Sequence, residues 1–195
     1  MITENVWVSG LSLPEYVEKM DHFQKEMKQR LEEIRITSSE FNKLREITKK
    51  RRMLIFTESW CGDSLMNLPI LAKIAEASPM VSIKYYYKSK FPELARFFEE
   101  KDLGSIPLCW VTDEKLNLIG YWIERPKSAD RLILDWKQGN PEFLKIIKNS
   151  ALSEEEKRVE MKPIYEKLLD EMWNWYDTNL QSETIKEVTQ ILLKD

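Results

Sequence analysis

The run Leu54-Ile55-Phe56-Thr57-Glu58-Ser59-Trp60-Cys61-Gly62-Asp63-Ser64 holds the residues best able to do chemistry in this chain. An apolar, strand-like segment ends at a Trp-Cys pair, and a helix begins at the cysteine. The thiolate is the nucleophilic form of cysteine. Unpaired N–H groups and the positive dipole end at a helix N-terminus stabilise it. Ser64, one turn on, is placed to donate a hydrogen bond to the sulfur. Asp63 and Glu58 act in the opposite sense, because a nearby negative charge favours the neutral thiol. Each effect is on the order of 1 kcal/mol at a partly exposed site, so the residue types leave the sign of the net shift open.

Ser64 also stands where a second cysteine would complete a Cys-x-x-Cys pair. In a dithiol site that second thiolate attacks the mixed disulfide and releases product. A serine hydroxyl does not do this near neutral pH. Cys61 is left with one-thiol chemistry: attack on a disulfide, followed by release by a second, small thiol. The other cysteine, Cys109, lies two residues after Pro107 in a predicted central strand. Alternation sets it on the face opposite Leu108 and Trp110, where it reads as a buried small hydrophobe. The single histidine, His22, falls on a predicted surface helix far from both cysteines. A Cys-His or Ser-His dyad would require it to fold back. Two cysteines make neither a disulfide framework nor a closed four-ligand zinc site. No metal and no cofactor is expected.

The elements that must position these residues follow from the pattern around them. The chain has 195 residues, 43% of them hydrophobic, enough for one enlarged domain with a real core. The 30 basic and 33 acidic residues leave a net charge of −3, so no large field favours nucleic acid or an anionic membrane. No apolar run reaches the roughly 18–20 residues of a membrane span. The opening Met1-Ile2-Thr3-Glu4-Asn5 has neither the basic start nor the apolar core of a signal peptide, which gives the expectation of a cytoplasmic protein.

Val17, Met20, Met27, Leu31 and Ile34 recur at helical spacing, predicting one amphipathic helix over 13–36. Thr37-Ser38-Ser39-Glu40 reads as a turn and N-cap. The helix after it carries Phe41, Leu44 and Ile47 and ends in Lys49-Lys50-Arg51-Arg52, a solvated helix end rather than a nucleic-acid patch. Strands are predicted at 53–56, 81–87, 108–112 and 116–123, the last two around a hairpin turn at Asp113-Glu114-Lys115. A helix over 61–77, interrupted by Pro69, and a short one over 91–100 separate the first three strands. Helices at 128–137 and 142–148 follow. A longer one is capped by Ser153 in capping-box form, and a last one starts at Ser182. Met172-Trp173-Asn174-Trp175-Tyr176 reads as a packing face of the long helix.

Trp60-Cys61-Gly62 at a strand-to-helix junction, Ile106-Pro107 ahead of the last hairpin, and the order strand, helix, strand, helix, strand, strand together resemble the thioredoxin superfamily. Glu58 to Asp63 with Asn67-Leu68-Pro69 is similar to a bacterial thioredoxin-like group that often lacks the second cysteine. The resemblance implies an α/β, three-layer thioredoxin-like fold with helical extensions at both ends: 1–52 before the core, 53–137 the core, 138–195 after it. It further implies a cis Ile106–Pro107 bond against Cys61. The backbone beside that bond would pair with an extended substrate in the manner of strand addition. On that basis Cys61 and Ser64 are the candidate catalytic residues. Trp60, Gly62, Asp63, Ile106 and Pro107 are the candidate substrate contacts. The family's buried carboxylate, which helps the second cysteine ionise, falls at Ile55. Its absence accompanies the absence of that cysteine. The expected partner is a protein or a low-molecular-weight thiol or disulfide, with no nucleic acid and no membrane. A non-catalytic binding or scaffold protein on the same fold is the alternative. A glutathione-transferase likeness ranks below both, because helices here flank the core on both sides.

Overall fold

The structure, a computed structural model, describes residues 2–194; Met1 of the opening segment lies outside them. Two compact units share the chain. One runs to Arg125 and resumes at Thr184, and the other is Pro126–Glu183.

The first unit is built on a four-stranded sheet of order β2-β1-β3-β4. β1 (Arg51–Thr57) runs parallel to β2 (Val81–Tyr87) and antiparallel to β3 (Leu108–Thr112), and β3 pairs antiparallel with β4 (Leu118–Ile123). Between the strands lie α5 (Gly62–Ala77) and α6 (Pro92–Glu99). Ahead of the sheet come α1 (Glu4–Ser9), α2 (Leu13–Glu18), α3 (Gln24–Glu33) and α4 (Ser38–Leu44). α10 (Gln181–Leu192) brings the chain back to this unit.

Strand alternation gives the sheet two apolar faces. On one, Phe56 stacks on Tyr86 with centroids 4.9 Å apart and meets Phe98 of α6 at 4.7 Å, while Phe98 reaches Trp110 at 5.2 Å. Leu54, Leu94, Leu103 and Leu108 complete that core. Met53, Ile55, Thr57, Tyr85, Cys109 and Val111 alternate onto the other face and are buried. Ile55 sits between Tyr85 on β2 and Cys109 on β3 in register. Thr57 bonds to Ser64 of α5, and Tyr85 stacks on Tyr16 of α2 at 5.5 Å, so these helices cover the second face.

The structure departs from the sequence expectations at several elements. The helix over 13–36 is two helices. Phe23 takes a left-handed φ of 52°, and the Gln24 amide donates to the carbonyls of Val17 (2.8 Å) and Glu18 (3.2 Å), capping α2 where the periodicity suggested continuation. His22 is therefore in the exposed joint between them, bound to Asp21 at 3.0 Å. The basic run does not end a helix: Arg51 and Arg52 open β1. The Arg51 guanidinium donates to the Leu192 carbonyl at 2.9 Å and to that of Lys194. Thr37 caps α4 with Glu40 as expected. The 108–123 hairpin is as read, with a longer turn held by the Asp113 carboxylate, which accepts from Asn117 and from Lys115 N–H.

In the second unit, α7 (Lys127–Gly139), α8 (Pro141–Lys148) and most of α9 (Glu154–Trp175) bury Phe143, Ile146, Met161 and Ile164. Ser153 caps α9 in a capping box with Glu156. Ser182 caps nothing. α9 passes through one wider turn, Tyr176–Leu180, directly into α10, so Ser182 lies inside a helix. Met172 and Tyr176, one turn apart, are buried.

Candidate functional site: the Cys61 thiol and its supports

Cys61 is the residue that starts α5. Its backbone is extended, with φ −82° and ψ 120°, and its carbonyl accepts the first helical bond from Leu65 at 3.0 Å. The strand ends at Thr57, the segment 58–61 is turned by a bond from Cys61 N–H to the Glu58 carbonyl (3.3 Å), and the sulfur is left at the head of the helix. Facing it is the Ile106–Pro107 peptide, which is cis. The Cys61 thiol donates to the Ile106 carbonyl at 3.5 Å. Cys61, Ser64, Ile106 and Pro107 are therefore brought together, as the resemblance implied.

The thiol is only 9% exposed. Burial pushes it up from its ordinary value. The Ser64 hydroxyl and the N–H groups of Ser64 and Asp63 pull in the other direction, and the Asp63 charge adds to the rise. Burial outweighs the helix-terminus donors, so the sulfur rests as a neutral thiol. Cys109 is fully buried and free, and its thiol is raised by burial alone.

The Asp63 carboxylate is taken up within the chain itself. It is held by Arg125 in a two-pronged pair, Nε to Oδ1 at 3.0 Å and Nη2 to Oδ2 at 2.6 Å. Arg125 also meets Glu124 at 3.3 Å. Glu124 has a left-handed φ of 58°, a strained setting for a residue with a side chain. It is fixed at both ends: its N–H donates to the Pro107 carbonyl at 2.8 Å, and its carbonyl accepts from the Asn67 amide at 3.3 Å. Asn67 is fully buried. It also donates to the Asp63 carbonyl (2.9 Å) and accepts from the Thr184 hydroxyl (2.9 Å). One amide thus ties α5, the end of β4 and α10 together. In the sequence it shows as a polar residue on an otherwise apolar helix face and as part of the Asn67-Leu68-Pro69 run in the resemblance.

Trp60 is the most exposed member of the site, at 58%. With Ser59, Tyr87, Arg96, Ser105 and Ile106 it borders a groove of about 1260 Å³, which Cys61 itself does not line. The floor near Trp60 is fixed by hydrogen bonds. Ser59 donates to Asp21, and the Glu58 carboxylate accepts from Ser89 N–H at 2.6 Å. Gly62 follows the sulfur at the first position of α5. Among the described residues no group of histidine, cysteine or acidic side chains is placed to hold a metal, and no helix is long and apolar enough to cross a membrane.

The sheet order, the cysteine at the head of α5 and the cis proline opposite it define a thioredoxin-like domain. A family model described as Thioredoxin matches residues 10–137, and the chain belongs to that family. The match begins well before β1, so it takes in most of the N-terminal helices. No curated protein matches the chain. Among solved structures, a Pseudomonas aeruginosa protein of unknown function is 21% identical, covers 98% of both chains and gives a TM-score of 0.65. An HIV epitope-scaffold gives 19%, 98% of both chains and 0.65. At these identities the likeness is one of fold.

Proposed function

We propose that this protein carries out one-thiol exchange through Cys61, in the manner of the bacterial thioredoxin-like group with a single active-site cysteine. The Cys61 thiolate attacks one sulfur of a disulfide laid beside Pro107. A bond forms between Cys61 and that sulfur, the partner's S–S bond breaks, and the departing thiolate takes up a proton. The thiolate of a second, small thiol then attacks the partner's sulfur in the mixed disulfide; a new disulfide forms between those two, the bond to Cys61 breaks, and the Cys61 thiolate is regenerated. The carrying observation is the juxtaposition of Cys61 Sγ with the Ile106 carbonyl at 3.5 Å, ahead of the cis proline, with Ser64 in the next helical turn. The partner is a protein or low-molecular-weight disulfide. Two free cysteines and no disulfide suit a reducing, cytoplasmic setting.

Because the thiol is raised, capture is slow at neutral pH and accelerates as pH climbs toward and past 9.0, the ordinary thiol value. The test is trapping of a small aromatic disulfide, read by mass spectrometry over pH. Wild type forms a mixed disulfide at Cys61, Cys61→Ser forms none, and Cys109 stays unmodified in the folded protein. Equal trapping by wild type and Cys61→Ser would sink the proposal. The buried, raised thiol specifically favours the second reading, a non-catalytic binding protein on this fold. In that case Cys61 shows no mixed disulfide at any pH at which the protein stays folded.

A further inference from the structure

Tyr16 neighbours Thr57, and Thr57 is bonded to Ser64, in the turn that follows Cys61. Thr57, the last residue of β1, and Ser64, in the first turn of α5, are both shut away from solvent. The Thr57 hydroxyl donates to Ser64 Oγ at 2.7 Å. Ser64 Oγ therefore already accepts one proton, and its own O–H must point elsewhere. The sulfur of Cys61 lies three residues back at the helix head, and the Ser64 hydroxyl is among the groups that favour its thiolate. Tyr16 of α2 is fully buried, its ring stacked on Tyr85 at 5.5 Å and on Tyr87 at 4.7 Å. Its hydroxyl lies beside Thr57, yet meets no acceptor at hydrogen-bond geometry. A buried donor without an acceptor is costly and rare in native proteins.

We propose that Thr57 is a positioning residue of the thiol site, holding the Ser64 proton on the Cys61 sulfur, with the Tyr16 hydroxyl as the reserve donor behind it. When Cys61 loses its proton, the three hydroxyls turn the same way: Tyr16 toward Thr57, Thr57 toward Ser64, Ser64 toward the thiolate. Aligned donors polarise one another, so the last bond is stronger than a lone serine would give. The N-terminal helix α2 thereby acts on the reactive atom without touching it. The charged and titratable groups around the sulfur are Asp63 of α5, held by Arg125 after β4, together with Tyr16 and with Glu58 of the strand–helix turn. None of the substitutions below alters a formal charge among them at neutral pH.

The inference rests on Cys61 being the reacting thiol, but its test needs no disulfide partner. Alkylation of the intact protein by iodoacetamide is followed over pH by mass spectrometry, with Cys109 as internal control. Thr57→Val raises the midpoint for Cys61 by roughly half to one pH unit, a several-fold loss of rate at fixed pH below it. Thr57→Ser restores the wild-type midpoint, and Tyr16→Phe, which keeps the stacked ring, gives a smaller rise. An unchanged midpoint in a cooperatively folded Thr57→Val overturns the proposal, as does Thr57→Ser behaving like Thr57→Val. Should Thr57→Val fail to fold, Tyr16→Phe decides, and an unchanged midpoint there overturns the relay. Loss of disulfide trapping with these midpoint shifts intact would sink the exchange reading and leave the relay standing.

Discussion

The charge beside Cys61 is set by two residues that hold each other. Asp63 disfavours the thiolate, and Arg125 is clamped on both of its carboxylate oxygens. Separating the two has opposite consequences. Asp63→Asn removes the anion and leaves the guanidinium nearby, so the Cys61 alkylation midpoint falls. Arg125→Gln leaves the anion uncompensated, so the midpoint rises. Each shift is about half a pH unit at the effective dielectric of about 20 that serves even buried protein sites. A packing defect would move both variants the same way. The sequence showed Cys61, Ser64, Ile106 and Pro107 because their types carry the chemistry and sit next to structural punctuation. Arg125 and Thr57 were invisible as partners. An arginine after a strand and a threonine at a strand end are ordinary in one dimension, and only the fold brings them to the helix head.

At the scale of elements, α5 is held by a broad apolar face and, near its start, by one buried polar side chain. Asn67 satisfies the Asp63 and Glu124 carbonyls and the Thr184 hydroxyl at once. Asn67→Leu keeps the volume but strands these groups in a dry interior. It should cost about 2–4 kcal/mol, read as a lower urea midpoint. The strands were the most legible elements. Val81 to Tyr87 and Leu108 to Thr112 are short runs of apolar, β-branched and aromatic residues between breaks, and they fold where expected. The helix ends were less so. Asp21-His22-Phe23 preserves the apolar spacing on either side, so periodicity carried straight across a joint that Gln24 and a left-handed Phe23 create. Likewise Ser182-Glu183 has the composition of a cap but sits in mid-helix. α1 escaped notice because one turn and a half is too short for a period to show.

The whole molecule carries opposite liabilities at the two ends of the pH scale. Tyr16, Tyr85 and Tyr86 are raised by burial, and Tyr87 is pushed up to about 12. Both thiols are raised as well. A folded value above the unfolded one means the contribution is whole at low pH. It drains away once pH passes the unfolded values, 9.0 for the cysteines and 10.0 for the tyrosines. The melting temperature should therefore drop above pH 9.0, with the phenolate absorbance of buried Tyr16, Tyr85 and Tyr86 appearing only as the protein unfolds. Asp21 works in reverse. Hydrogen bonds from Ser59 and His22 hold its carboxyl down at about 2, below its ordinary 3.8. Its contribution is present above 3.8 and is lost as pH falls toward about 2. Thermal melts of Asp21→Asn should show a flatter acid limb than wild type over that interval.

The chain leaves the thioredoxin-like unit at Arg125 and returns to it at Thr184. That return has a consequence for biosynthesis. Translation delivers all four strands, the cysteine and the cis proline before any of the inserted helices exist. Yet the hydroxyl that meets Asn67 is encoded 117 residues after it. A nascent chain can thus display its sheet while the oxygen of Asn67 still waits for its partner, and α5 is locked only after the second unit has been made. The reactive sulfur is among the early parts of this site to be synthesised, and the bond that steadies its helix is among the last.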